Sequence, residues 1–228
     1  MKKFGLTNNQ LKIIAMLAML SDHIGKELLP QYPVLQIIGR LAFPIFAYMI
    51  AEGCFYTKNK MRYFLTVALL GVGCQAVYLV AEHSFYQNIL ITFSLSIILI
   101  FVTENYKTKG SKKAQIAFYI TLILVVFIAF VLPLLLKKQG FVIDYGVYGV
   151  LLPFAIYIMD DKKQKLTWTA IVLVMLSRNM GGIQWFSLLS VPLLALYNQK
   201  RGKYNIKPLF YIFYPAHLVV IYLISLLI

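Results

Sequence analysis

Long apolar runs set the first limit on how this chain can fold. They recur from end to end, each roughly 15 to 25 residues long, and the polar gaps between them span about ten residues or fewer. One soluble core cannot hide so many. A bilayer can, provided that every backbone polar group is paired within the segment that carries it, and helices meet that condition. Composition agrees: of 228 residues, 61% are hydrophobic and 13% charged, about half the charged share of a soluble domain. The expectation is an all-α, polytopic helical integral membrane protein, a single domain over 1–228 with about nine transmembrane helices in one bundle. The spans fall near 11–29, 33–57, 61–82, 87–104, 114–136, 144–159, 166–178, 184–198 and 207–227. The seventh and eighth are short of the roughly 20 residues that a full crossing prefers. Pro44 and Pro192 predict kinks in the second and eighth. The first run has no small-residue cleavage site and reads as a retained helix.

The net charge of +14 suggests nucleic acid only until its distribution is considered. Lys2 and Lys3, with Lys58, Lys60 and Arg62, Lys107, Lys109, Lys112 and Lys113, Lys162, Lys163 and Lys165, and Lys200, Arg201, Lys203 and Lys207, place sixteen basic residues at the N-terminus and in alternate loops. The intervening loops hold four: Lys26, Lys137, Lys138 and Arg178. This is the positive-inside pattern of a bacterial cytoplasmic (inner) membrane protein, with an odd number of spans, the N-terminus cytoplasmic and the C-terminus outside. The expected surroundings are the lipid bilayer and not nucleic acid; oligomeric state is not readable, because apolar surface says little about helix partners in lipid. Cys54 and Cys74 lie in apolar segments and read as packing residues. Three scattered His and no clustered carboxylates give no metal site. No P-loop, dinucleotide fingerprint or GxSxG elbow is present, so ATP-driven transport and serine hydrolysis have no support.

Ionisable groups inside the apolar runs are the informative residues, since each costs at least about 2.5–3.5 kcal/mol at the bilayer centre. In LKIIAMLAMLSDHIGK, Lys12 and His23 are eleven positions apart, close to three helical turns, so they share a face about 16 Å apart. Asp22 points about 100° away and does not simply clamp the imidazole. A plainer reading has Lys12 snorkel to the headgroups while Asp22, His23 and Lys26 form an ordinary helix end. In IIGRLAFPIFAYMIAEG, Arg40 is a lipid-phosphate contact, an anion clamp or a partner for Asp22; Glu52 closes the segment. DYGVYGVLLPF places Asp144, Tyr145 and Tyr148 at the outer start of the sixth span, with Gly146 and Gly149 permitting close helix approach. Tyr214, Pro215 and His217 fall midway along the last span, and His217 reads equally as a structural hydrogen-bonder. His83 reads as solvated; Arg178 and Asn179 form a turn or touch an acceptor.

Together, LKIIAMLAMLSDHIG, IGRLAFPIFAYMIAEGCFYTKN, DYGVYGVLLP and FYPAHLVVIYLI resemble the TraX family, named for a conjugative-pilus protein that N-acetylates pilin. The DHIG and GRLAFPIF blocks are the most specific. TraX-like proteins are in turn similar to a wider transmembrane acyltransferase group, in which a polar residue of the first helix, often Arg, precedes a functional His by eleven positions. Lys12 and His23 show that spacing, with Lys in place of Arg, a point charge that cannot clamp bidentately. The resemblance implies acetyl transfer from cytoplasmic acetyl-CoA to an acceptor outside, an amine on an exported protein N-terminus in preference to a hydroxyl, or a surface glycan. It implies His23 as general base or transient acyl carrier, with Arg40 or a Tyr hydroxyl toward the oxyanion and Asp22 orienting its neighbours. Substrate contacts would come from Lys12, Asp144, Tyr145, Tyr148, Arg178, Tyr214 and His217, without a metal. The residues themselves leave two rivals: a proton-coupled small-molecule transporter, whose expected inverted repeats are not visible, and a non-catalytic membrane assembly factor whose polar groups act as helix glue.

Overall fold

A computed structural model describes residues 5–204 and 206–227. Lys2 and Lys3, which enter the basic count above, lie outside the described residues. In chain order the elements are α1 (Asn8–Glu27), α2 (Pro33–Gly39), α3 (Ala42–Tyr56), α4 (Lys60–Glu82), β1 (Tyr86–Gln87), α5 (Ile89–Lys109), α6 (Lys112–Val126), α7 (Leu132–Leu135), β2 (Val142–Ile143), α8 (Gly146–Ile158), α9 (Lys162–Met180), α10 (Ser190–Ala195) and α11 (Lys207–Ser225). A π-helical turn fills Phe127–Val131, and 3-10 segments fill Lys137–Gln139 and Gly182–Leu189. The two short strands pair in parallel. Helix starts follow local chemistry. Thr7 and Gln10 form a reciprocal capping box on α1, and Asn59, Asn88 and Ser111 cap α4, α5 and α6 with their side chains.

The chain is all-α apart from the paired dipeptides, and among the described residues five helices are long and apolar enough to cross a bilayer. They are Pro33–Tyr56 (taking α2 and α3 together), Lys60–Val80, Ile89–Lys109, Lys112–Leu135 and Pro208–Ser225. The other four expected spans are helical but fall short on length or apolarity. α1 has the length and carries Lys12, Asp22 and Lys26; α8 has 13 residues; α9 begins with Lys162, Lys163 and Lys165. The eighth is a 3-10 turn running into the six residues of α10. The expected kink at Pro44 falls earlier, at Arg40–Leu41, where α2 ends. Pro44 then occupies the first turn of α3, where its missing N–H leaves no intrahelical bond unmade.

The fold comprises two compact units: Met1–Met49 with Leu166–Ile228, and Ile50–Lys165. In the first, α1 packs on both α2 and α11. Its approach to α2 depends on glycine: a Cβ on Gly39 would collide with the Asp22 side chain, and one on Gly25 would lie 2.8 Å from Leu35 Cβ. The closeness lets side chains reach backbone across the pair. Ser21 donates to the Leu35 carbonyl at 2.9 Å, and Gln36 Nε2 to that of Gly25 at 3.2 Å.

In the second unit α5 is central, packing on α4, α6 and α8 around Leu99, Val125, Ala129 and Val150. Several of its polar groups are paired with one another. Asn88 Nδ2 donates to the Gly71 carbonyl (2.9 Å) and to Gln75 Oε1 (3.2 Å); Glu104 takes Lys60 Nζ (2.6 Å) and the Tyr157 hydroxyl (2.7 Å); Glu52 faces Lys165 Nζ at 3.6 Å. Gly149 is the close-packing residue expected, since a Cβ there would meet Thr92 Cγ2 at 2.7 Å. Gly146 is not: nothing lies within 4 Å of such a Cβ, and the glycine serves a φ of +53° at the start of α8.

Gly39→Ala should be costly, because the methyl meets the Asp22 side chain and α1 and α2 must separate. Overpacking of this kind costs about 1–3 kcal/mol, read as a lower midpoint of thermal unfolding in detergent, whereas Gly146→Ala should disturb only its own turn.

Candidate functional site

α1 presents two polar faces, as the 100° offset between neighbouring residues requires. On the first, Asp22 is buried and takes two cations: Arg40 Nη2 on Oδ1, and Lys26 Nζ on Oδ2 at 2.8 Å. Of the readings open for Arg40, the structure selects the partner for Asp22. Its guanidinium also donates from Nε to the Gln36 carbonyl (3.3 Å) and from Nη1 to Gln184 Oε1 (3.4 Å). The cap of α2 thereby ties α1 to the 3-10 segment at Gly182–Leu189.

On the second face, His23 meets α11. Its ring stands edge-on to that of His217 with centroids 5.0 Å apart, and His217 stacks on Phe213 at 4.9 Å with Tyr214 at its side, 5.7 Å away. Further along, Lys12 Nζ sits 5.5 Å over the Phe210 ring, a cation–π contact. The low-numbered ends meet and the high-numbered ends meet, so α1 and α11 run parallel. Each imidazole is held by its own helix: His23 Nδ1 lies 2.9 Å from the Met19 carbonyl and His217 Nδ1 2.8 Å from that of Phe213. A carbonyl only accepts, so Nδ1 carries the proton and the neutral ring presents Nε2 as a bare acceptor. His23 is half-buried. His217 is buried, and its Nε2 has no hydrogen-bond partner among the described residues.

The expected site residues therefore separate. Lys12, Asp22, His23, Arg40, Tyr214 and His217 gather around α1. Arg178 lies in the same unit but is exposed at the end of α9. Asp144, Tyr145 and Tyr148 belong to the second unit. There Asp144 accepts from the Tyr86 hydroxyl, its backbone N–H donates to the Gln87 carbonyl (3.1 Å) and its carbonyl accepts from Thr92 (3.0 Å), so it fastens the loop ahead of α8. Desolvation and the Asp144 carboxylate push the Tyr86 phenol far above its ordinary range. Tyr145 supplies the left-handed residue that starts α8, with φ 56°. Among the described residues no group of three or more His, Cys, Asp or Glu could hold a metal ion. Two residues went unnoticed in the sequence: Gln184 and Ser187, both buried, with Gln184 Nε2 and Ser187 Oγ unpartnered among the described residues. The signal was there as two polar residues three apart in GGIQWFSLLS, obscured by reading that stretch with the 3.6-residue period of an α-helix.

Apolar helices with paired charges and a histidine pair between them describe a membrane protein with a polar site built from its first and last helices. The TraX protein family matches residues 7–225, and the chain belongs to it. It is 24% identical over 243 aligned residues, 93% of each chain, to a Dichelobacter nodosus protein named as probable fimbrial assembly protein FimC, serogroup H1. It is also 36% identical over 102 residues to an uncharacterized protein of Rickettsia prowazekii (strain Madrid E), covering 43% of this chain and 39% of that one. No solved structure matches the chain significantly.

Arg40→Ala should destabilise the protein by less than the roughly 3–5 kcal/mol usual for stranding one member of a buried ion pair, because Lys26 Nζ stays on Asp22 Oδ2 at 2.8 Å. Asp22→Ala combined with Arg40→Ala should cost less than the two single changes together. A double-mutant cycle of unfolding midpoints in detergent checks both statements.

Proposed function

We propose that the protein is a transmembrane N-acetyltransferase. It would take acetyl from cytoplasmic acetyl-CoA and pass it to an amine, such as the N-terminus of an exported protein, at the outer face of the bacterial cytoplasmic membrane. The observation that carries this reading is the His23–His217 pair, two facing imidazoles whose Nδ1 protons are tied down so that both offer Nε2. An amine has more than one N–H with which to satisfy two such acceptors, whereas a hydroxyl has one. His23 Nε2 removes a proton as the amine nitrogen attacks the thioester carbonyl carbon. The tetrahedral intermediate then collapses, the C–S bond breaks, and the imidazolium returns its proton to the departing CoA thiolate. Lys12, on the same face toward the cytoplasmic end, lies on the side from which CoA approaches, and the basic loops attract its phosphates. A fimbrial assembly role, which the Dichelobacter relative's name carries, accords with acetylation of an exported subunit.

The same reading includes nine crossings with the N-terminus inside and the C-terminus outside. Its support is the loop charge alternation together with the parallel run of α1 and α11: two helices crossing in one direction require an odd number of crossings between them, hence an odd total.

Purified protein with labelled acetyl-CoA and an amine acceptor should transfer label and release CoA, and His23→Ala should lower that rate about 10²–10⁴-fold. Undiminished transfer by the variant would remove His23 from the chemistry; an absence of CoA release by the unmodified protein would remove the reaction. A reporter fused after residue 228 should respond only to impermeant reagents added outside.

A further inference from the structure

One carboxylate of the first unit stands outside its ion pairing. Glu27, the last residue of α1, is exposed, and among the described residues it has no hydrogen-bond or ion-pair partner. Lys26 points about 100° away and is engaged by Asp22 Oδ2 at 2.8 Å, as Arg40 is by Oδ1. Arg178, the unit's other cation on that side of the proposed topology, is exposed at the end of α9. Helix chemistry does not account for Glu27 either. The last turn of a helix is its negative end, where a carboxylate is disfavoured and a cation is favoured. Its position points to the histidine pair. Glu27 follows His23 by four residues, one helical turn, so the two share a face about 6 Å apart along the axis. The carboxylate and the His23 ring interact electrostatically. Because α1 and α11 run parallel, the α11 turn beyond His217 lies alongside; it holds Val220, Ile221 and Ile224 and no charge.

We infer that Glu27 is the entry carboxylate for the acceptor, binding the incoming amine as its ammonium ion one turn outward of His23. The chemistry asks for such a group. An α-amine has an ordinary pKa of about 7.7–8.0, so at neutral pH it arrives mostly protonated, without a lone pair to attack with. It must lose one proton to water before its nitrogen is nucleophilic. It loses a second to His23 Nε2 as the C–N bond forms. The sum is ammonium plus acetyl-CoA giving acetamide, CoA thiol and one proton in solution. Glu27 and the negative end of α1 both favour the cation at this point, and the exposed position lets the first proton reach water. A hydroxyl acceptor carries no charge and gains nothing from Glu27. The inference rests on the acetyltransferase reading and adds to it a residue that selects charged amines.

The test follows label transfer and CoA release with two acceptors of equal length, a primary alkylamine and an O-alkylhydroxylamine, whose nitrogen is uncharged at neutral pH. In the wild type, KM for the alkylamine should rise as salt goes from about 0.01 to about 1 M, which shortens the screening length from about 30 to about 3 Å. KM for the uncharged amine should not. Glu27→Gln should raise the alkylamine KM about two- to fivefold with kcat unchanged, and should abolish its salt dependence. Glu27→Asp should restore part of both. The residue is exposed, so the variants should keep the wild-type unfolding midpoint. A merely structural Glu27 would instead lower the midpoint or shift both acceptors alike. An alkylamine KM that Glu27→Gln leaves unaltered, or equal shifts for both acceptors, overturns the assignment and leaves the acetyltransferase reading standing. Should the variants fail to fold, a wild type whose two KM values respond alike to salt overturns it equally. A wild type that acetylates neither amine and releases no CoA overturns both.

Discussion

A carboxylate and a guanidinium, both withdrawn from water, hold the first unit in register. Asp22 and Arg40 are buried, and each would be costly alone in an apolar chain. Their pairing decides where α1 lies against α2, requires glycine at 39 and 25, and, through the second arm of Arg40, fixes the amide of Gln184. The same solution recurs elsewhere. Of the chain's eight acidic residues, Glu52 faces Lys165, Glu104 takes Lys60 and Tyr157, and Asp144 takes Tyr86. These acidic groups thus come with their counter-donors, and among the described residues the buried side-chain atoms left open are Gln184 Nε2, Ser187 Oγ and His217 Nε2.

Each α1 face therefore has its own task. The Asp22 face is saturated and structural, which suits a group that holds helices together. The His23 face is unsaturated at His217 Nε2, and a buried acceptor left without a donor carries the full desolvation penalty of that atom. The proposed amine acceptor, which brings its own N–H, would supply the missing donor.

Much of this was legible in the residues. Apolar run length gave helices in a bilayer, and the eleven-residue spacing put Lys12 and His23 on one face, where both now meet α11. The Asp22–Arg40 pair was one of three readings and needed the fold to be chosen, because residues 18 apart are joined by no local rule. What stayed hidden depended on helix type or on distant contacts. The segment after Gly181 turns every three residues, not every 3.6, so Gln184 and Ser187 align in a way that α-helical periodicity conceals. Asp144 and its tyrosines looked like site residues because polar groups in apolar surroundings do. The contact of Asp144 with Tyr86, a pairing between residues 58 apart that β1 and β2 bring together, follows no local rule.

The parallel contact of α1 with α11 also bears on how the protein is made. His23 leaves the ribosome well before His217, with α2 to α10 between them. Until α11 is inserted, the His23 face has only lipid or transient neighbours, and the imidazole has no second ring opposite it. Completion of the pair thus waits on α11, and a chain cut short before it would enter the membrane with His23 in place and His217 missing. The histidine pair is thus a property of the assembled chain, absent from any shorter part of it that stops before α11.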